Sequence, residues 1–149
     1  MKILETHPEI KSREVLLGDS QRLLQYAKEM HKLCFEPIGM YPGGEAVAHV
    51  QVAGKDPLRF FVKKDGTIYI NPVITSQKQK YKHREGCLSF ANESPVEVER
   101  YNLIEVEFVL AHITAKQIVT DGGQKGRFSG KDAAIFQHEI EHFDLDLIY

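Results

Sequence analysis

Two histidines four residues apart near the end of the sequence constrain this chain most. In His138-Glu139-Ile140-Glu141-His142, positions i and i+4 share one face only if the segment is helical. The spacing predicts a helix from about Lys131 to Ile148. Phe136, Ile140, Phe143 and Leu147 form an apolar stripe roughly opposite the histidines. Ala134, Ile135 and Leu145 lie on the histidine side, which leaves a narrow polar wedge at Gln137, Glu141 and Asp144. Such a helix is expected to be buried on two sides. Two inward imidazoles are either a hydrogen-bonded core pair or two ligands of one metal ion. The carboxylate of Glu139, a quarter-turn away, favours the second, with Glu139 as general base.

A catalytic metal site takes a third protein ligand and keeps one position open. Asp144 and Asp146 follow too closely and project away from the histidine face, so the third ligand comes from upstream. Cys87 is the strongest candidate, because a thiolate is a strong ligand for Zn²⁺ or Fe²⁺. It sits in Glu85-Gly86-Cys87-Leu88-Ser89, where Gly86 lets the backbone pass close to a neighbour. The pattern points to a mononuclear metal hydrolase.

The remaining sequence sets the frame. A chain of 149 residues, 42% hydrophobic, is long enough for one domain, 1–149, with a core of its own. A net charge of -2 gives no basic field for DNA. Two cysteines make no disulfide framework, so a reducing compartment is expected. No apolar signal core opens the sequence and no run is long enough to span a bilayer, so a soluble cytoplasmic protein is expected.

A first helix is expected from Asp19 to Phe35, capped by Asp19 or Ser20, with Leu23, Ala27, Met30 and Cys34 on its buried stripe. Cys34 reads as an inert buried thiol. Gly39 to Gly44 reads as a loop. Arg59 to Ile70 reads as a hairpin turning at Asp65-Gly66, with Asn71-Pro72 ending its second strand. Lys78 to Arg84 reads as a basic solvated loop. Leu103 to Leu110 reads as a strand with Lys116 to Thr120 as partner, and Asp121 to Gly130 as a loop. Strands first and a helix last imply an α+β fold.

With these segments placed, the sequence resembles the peptide deformylase family over nearly its whole length. Glu85-Gly86-Cys87-Leu88-Ser89 matches the family's second motif completely, and Gln137-His138-Glu139-Ile140-Glu141-His142 matches its third. Gly44-Glu45-Ala46-Val47-Ala48-His49-Val50-Gln51 keeps the first motif in part: Ala46 replaces a glycine, and His49 and Val50 replace the usual residues. Leu145 stands where a glycine is common. The segment between Arg100 and Gln137 is longer than usual. The short end resembles phage-encoded members that lack the C-terminal extension.

The resemblance implies antiparallel sheets packed around a central C-terminal helix that carries the histidine motif. It implies Cys87, His138 and His142 as metal ligands and Glu139 as general acid/base. Oxyanion donors fall on the Gln51 amide and the Leu88 N–H. Glu85 is implied to pair with Arg100. Gly44, Gly86 and Ile135 fall at the substrate pocket. The implied cofactor is one divalent ion, usually Fe²⁺ and often Zn²⁺ or Ni²⁺ in preparations. The implied reaction removes the N-formyl group from the formylmethionine of new polypeptides, a metal-held water attacking the formyl carbon and formate leaving. Implied partners are N-formylmethionyl peptides and nascent chains, with transient ribosome association. A monomer in the cytoplasm of a bacterium or phage-infected cell, or in an organelle, is expected. Two other classes stay open: a small zinc endopeptidase, which shares the third motif, and a non-catalytic binder of nascent chains.

Overall fold

The computed structural model describes residues 9–35, 44–52, 55–90, 93–114 and 118–148. Its elements are α1 (Ser20–Cys34), β1 (Ala46–Ala48), β2 (Phe60–Lys63), β3 (Thr67–Glu85), β4 (Val96–Ile113), β5 (Ile118–Ser129) and α2 (Gly130–Phe143). The strands form one antiparallel sheet in the order β1-β2-β3-β4-β5, so the sequence expectation of several sheets becomes one connected sheet among the described residues.

Alternation of side chains along β2 and β3 explains the layering. Phe60 and Val62 face one way with Ile68 and Ile70, and the α1 stripe of Leu23, Ala27, Met30 and Cys34 covers them. Phe61 and Tyr69 face the other way. There α2 supplies Phe136 and Phe143, and β4 supplies Val106 and Phe108. Phe136 is the centre of an aromatic group, with ring centroids 4.3 Å from Phe128, 4.6 Å from Tyr69 and 5.2 Å from Phe61. Both faces of the first strands are therefore covered, one helix to each side. The Gln137 side chain fastens α2 to β4: its Oε1 accepts from Tyr101 N–H at 2.7 Å and its Nε2 donates to Tyr101 C=O at 2.8 Å.

The structure corrects the sequence reading at four places. Asn71-Pro72 does not end a strand; β3 continues to Glu85. Asn71 adopts φ 49° and its side chain pairs with both backbone groups of Val15, while the ladder slips between Ile70 and Val73. Proline, with no N–H to donate, falls inside that irregularity. Lys78 to Arg84 is strand, not loop. Its charges meet an acidic row on β4, with Lys80 beside Glu99 and Lys82 beside Glu97. Asp121 to Gly130 is mostly β5, paired with β4 from Leu103↔Ser129 to Ile113↔Ile118. Of the expected partner segment, 118–120 lie in β5 and 116–117 fall outside the described residues, as do 39–43 of the expected loop.

Finally, α2 stops at Phe143 rather than at Ile148, so Leu145 and Leu147 lie beyond the helix. Asp146 N–H donates to Glu141 C=O and Leu145 N–H to His142 C=O, with Leu145 at φ 63°. This is the two-bond helix stop that normally uses glycine at the left-handed position. At the other end of the fold, Asp19 precedes α1 without a side-chain capping bond. Its carboxylate instead accepts from Arg13 and from Leu16 N–H.

His49, which replaces a usual residue of the first motif, is a core group. It is 1% exposed, its Nδ1 accepts from Leu58 N–H at 2.9 Å, and its ring lies against Tyr26 and Phe60. Burial pulls its pKa from 6.5 down to about 4, and the nearby Arg22 charge works the same way. The unfolded chain takes up this proton near 6.5, so between the two values it binds more protons than the folded chain. Stability from this group is complete above pH 6.5 and is lost as pH falls toward 4. Denaturant unfolding at pH 7 and pH 5 is expected to show a loss of about 2 kcal/mol from His49. In His49→Asn, which keeps an acceptor for Leu58, that part of the pH slope should be absent. An unchanged slope would exclude His49 as its source.

Candidate metal centre

The end of β3, the turn after it and α2 bring the three expected ligands together. Cys87 Sγ lies 3.4 Å from His142 Nε2, which lies 3.1 Å from His138 Nε2. The donor atoms of Cys87, His138 and His142 all fall within 4.8 Å of one another, and both Cys87 and His142 are buried. A tetrahedral ion with M–N near 2.0–2.1 Å and M–S near 2.3 Å has edges of roughly 3.3 Å for N–N and 3.5 Å for N–S. The two close spacings fit those edges. Two imidazoles and a cysteine sulfur converging at one point also match the donor chemistry of Zn²⁺ or Fe²⁺.

Glu85 orients the first imidazole. Its Oε1 accepts from His138 Nδ1 at 2.9 Å and from Arg100 Nη2 at 2.7 Å. Its Oε2 accepts from Arg100 Nε at 2.8 Å and from His83 Nδ1 at 2.9 Å. A carboxylate on Nδ1 fixes the tautomer and turns Nε2 toward the thiolate, as outer partners of metal-binding histidines do. Burial alone raises the Glu85 pKa, but the bonds from His138 and Arg100 outweigh it and hold the group down at about 2. Arg100 Nη1 also donates to Glu141 Oε1 at 2.7 Å. The sequence pairing of Glu85 with Arg100 thus corresponds to two short bonds.

Without an ion, the two imidazoles behave oppositely. Burial works against charge on His138, yet its bonds to Cys87 and Glu85 and the Glu139 charge raise its pKa to about 10. Burial, then the His138 and Arg100 charges, push His142 well below 6.5. Were His138 to hold a cation, it would have to give up this proton, so binding would be coupled to proton release.

Glu139 faces the cavity from α2. It is 4% exposed, and its Oε2 has no partner among the described residues. The cavity, about 270 Å³, is lined by Gly44, Gln51, Glu85, Gly86, Cys87, Leu88, Ile135, His138 and Glu139, among others. Gln51 sits in a 3₁₀ turn after β1, 2% exposed, and is not a surface strand residue. Its Oε1 accepts from Ala48 N–H at 2.8 Å, which turns the amide nitrogen toward Ser89 Oγ (3.1 Å) and Cys87 Sγ (3.7 Å). Leu88 opens the short turn Leu88–Phe90. The close approach expected at Gly86 is found instead at Gly44. A Cβ at Gly44 would come within 2.5 Å of Leu88 Cδ1, whereas one at Gly86 would meet nothing within 4 Å.

Sequence reading missed His83, Glu141 and Ser89 around this site. Reading Lys78 to Arg84 as strand would have found His83, since residues two apart on a strand share a face and Glu85 follows it by two.

Residues 12–149 match the family model described as polypeptide deformylase. This chain belongs to the peptide deformylase family. The family is metal-dependent, and its members are amide-hydrolysing enzymes. Peptide deformylase 2 of Bacillus anthracis is 31% identical over 93% of this chain and 79% of that protein. The match to the peptide deformylase of Aquifex aeolicus is 36% identical but spans half of this chain and 39% of that protein. Among solved structures, the deformylase of the Vibrio parahaemolyticus bacteriophage VP16T, crystallised with actinonin, has a TM-score of 0.70 and 26% identity, covering 99% of this chain and all of that one. The α+β expectation thus holds as an antiparallel sheet with helices.

In the metal-free protein, burial first and the Glu85 charge second raise the Glu139 pKa from 4.5 to about 7, against the His138 charge. Between those values the folded chain binds more protons than the unfolded one. Stability from this group is therefore present below pH 4.5 and lost as pH rises through 7. Glu139→Gln is expected to gain up to ~3 kcal/mol on the metal-free wild type between pH 4.5 and pH 8. Denaturant unfolding of both proteins after chelation checks this. A constant difference across that range would refute the burial of an ionising Glu139.

Proposed function

We propose that this chain removes the formyl group from the N-terminal formylmethionine of newly made polypeptides, consuming water and releasing formate and a free amino terminus. The observation that carries the proposal is the convergence of Cys87, His138 and His142 beside Glu139 at one cavity. The histidine motif by itself fits an endopeptidase equally well; a thiolate beside both imidazoles favours the deformylase reading.

In this reading Cys87, His138 and His142 hold one divalent ion, Fe²⁺ in the cell, with Zn²⁺ or Ni²⁺ replacing it in preparations. The ion supplies positive charge that acidifies water and polarises the formyl oxygen. Glu139 takes the proton as water attacks and gives it to the departing amine. Its position on the cavity wall, with Oε2 unpartnered among the described residues, suits both steps. The Gln51 amide and the Leu88 N–H receive the developing oxyanion, and one such donor contributes ~3 kcal/mol. Glu85 and Arg100 hold His138 in place. Gly44, Gly86 and Ile135 shape the pocket for the methionine end. The finer reading of the fold has α2 as the central helix, supported by its contacts with β1, β3, β4 and β5. The chain works as one unit, a monomer in the cytoplasm, meeting nascent chains with transient ribosome contact. Among the described residues no helix is long and apolar enough to cross a membrane.

Formate release from formyl-Met peptides by anaerobically prepared protein tests the activity. Formylated substrate is expected to turn over far faster than its acetylated counterpart, because the donors, the ion and Glu139 crowd a carbonyl that carries only hydrogen. Equal kcat/KM for the two would reject the reading. Glu139→Gln is expected to keep the ion and lose ~10²–10⁴-fold in kcat. Cys87→Ala is expected to lose metal by elemental analysis; full occupancy would reject the ligand set.

A further inference from the structure

His83 stands outside all three motifs that carry the family resemblance, yet it touches the group that orients a proposed metal ligand. It lies on β3 two residues before Glu85, on the same face of the strand. Its side chain is 31% exposed and lines the cavity. Nδ1 is 2.9 Å from Glu85 Oε2, while the other oxygen, Oε1, receives His138 Nδ1 at the same distance. The ring also packs edge-on against Tyr81, with centroids 5.8 Å apart. Tyr81 in turn donates through its hydroxyl to Gly130 C=O at the start of α2, at 3.2 Å. Tyr81, His83 and Glu85 thus form one row along β3 that grips α2 at two points.

Arg100 grips both oxygens of Glu85, Nε on Oε2 at 2.8 Å and Nη2 on Oε1 at 2.7 Å, but it serves a second acid as well. Its Nη1 is drawn to Glu141, whose side chain is 33% exposed, so the guanidinium is shared between two acids. His83 adds a second donor on Oε2, and it serves no other acid among the described residues. We propose that His83 is a positioning residue of the metal centre: by donating to Glu85 Oε2 it holds Oε1 where His138 Nδ1 needs it. The role is transmitted through Glu85 and His138, and His83 touches neither ion nor substrate to exert it. It rests on the reading of Cys87, His138 and His142 as ligands.

The test uses the metal-free full chain titrated with Co²⁺, with binding read from visible absorption. Three variants separate donation from filling: His83→Ala, His83→Leu, which fills space without donating, and His83→Asn, whose amide nitrogen falls near the Nδ1 position. Loss of an outer partner typically costs 10–100-fold in metal affinity, and His83 acts one bond further out, so Leu and Ala are expected to bind about tenfold more weakly. Asn is expected to recover most of that loss. Thermal unfolding of the metal-free proteins should show Leu and Asn alike, which keeps the comparison valid if Ala folds poorly. Leu binding Co²⁺ as tightly as wild type, Asn binding as weakly as Leu, or wild type binding no Co²⁺ would each overturn the proposal. A wild type that binds Co²⁺ with this His83 dependence but releases no formate from formyl-Met peptides would refute the deformylase function and leave the positioning role intact.

Discussion

A carboxylate taken out of water must find donors or keep its proton, and Glu85 finds four. Those donors come from β3, β4 and α2, so a single buried group fixes how three elements meet. Arg100 reaches it because the β3–β4 ladder pairs Tyr81 with Arg100, four positions from the strand end. His138 reaches it because Gln137 fastens the preceding turn of α2 to Tyr101 on β4. An apolar substitute for such an ion pair is often as stable or more so. What the ionic version adds here is direction: it fixes the rotation of one imidazole, which no methyl group does.

Of the departures in and after the motifs, His49, Val50 and Leu145 fall on the scaffold side of the site, whereas Ala46 lines the cavity. His49 points into the layer between α1 and β2, where Tyr26 and Phe60 enclose it, and leaves Gln51 to face Cys87 and Ser89. Val50 is fully buried in the layer beneath α2. Leu145 holds a left-handed backbone at a cost of roughly 1–2 kcal/mol, with its side chain against the α2 core cluster as partial compensation. His49, Val50 and Leu145 thus pack within the core clusters rather than at the ligand atoms.

Much of this was legible in the sequence because its signals are local. The i, i+4 histidines, the α1 stripe and the Asp65-Gly66 turn each depend on a few neighbouring residues, and each appears near its expected place. Three of the misreadings share a cause: a turn signal or a charge run was satisfied from far away. Asn71 takes a positive φ because Val15, 56 residues distant, pairs with its side chain, so the strand bends and goes on. Lys80 and Lys82 tolerate a strand because Glu99 and Glu97 stand across from them. The glycines before α2 pair with β4; Gly126 leaves room for the Phe128 and Phe108 rings, which a Cβ would meet at 2.9 and 3.2 Å. The same long-range dependence hid His83, whose partner became visible only once its segment was a strand.

The two cysteines show how place on the fold separates chemistry from packing. Cys34 lies on α1 behind the site, 2% exposed, and burial with the Glu139 charge pushes its thiol up to about 11. It stays protonated at neutral pH and acts as a small apolar side chain. An ionised group there would repel Glu139 across an interior with little screening. Cys87, also buried at 7% exposure, instead meets two imidazole nitrogens and the Gln51 amide. The Cys87 sulfur therefore faces imidazole and amide nitrogens, while the Cys34 thiol feels a carboxylate. The Glu139 carboxyl, without a partner at Oε2 among the described residues, thus has a neutral thiol rather than a second negative charge at Cys34.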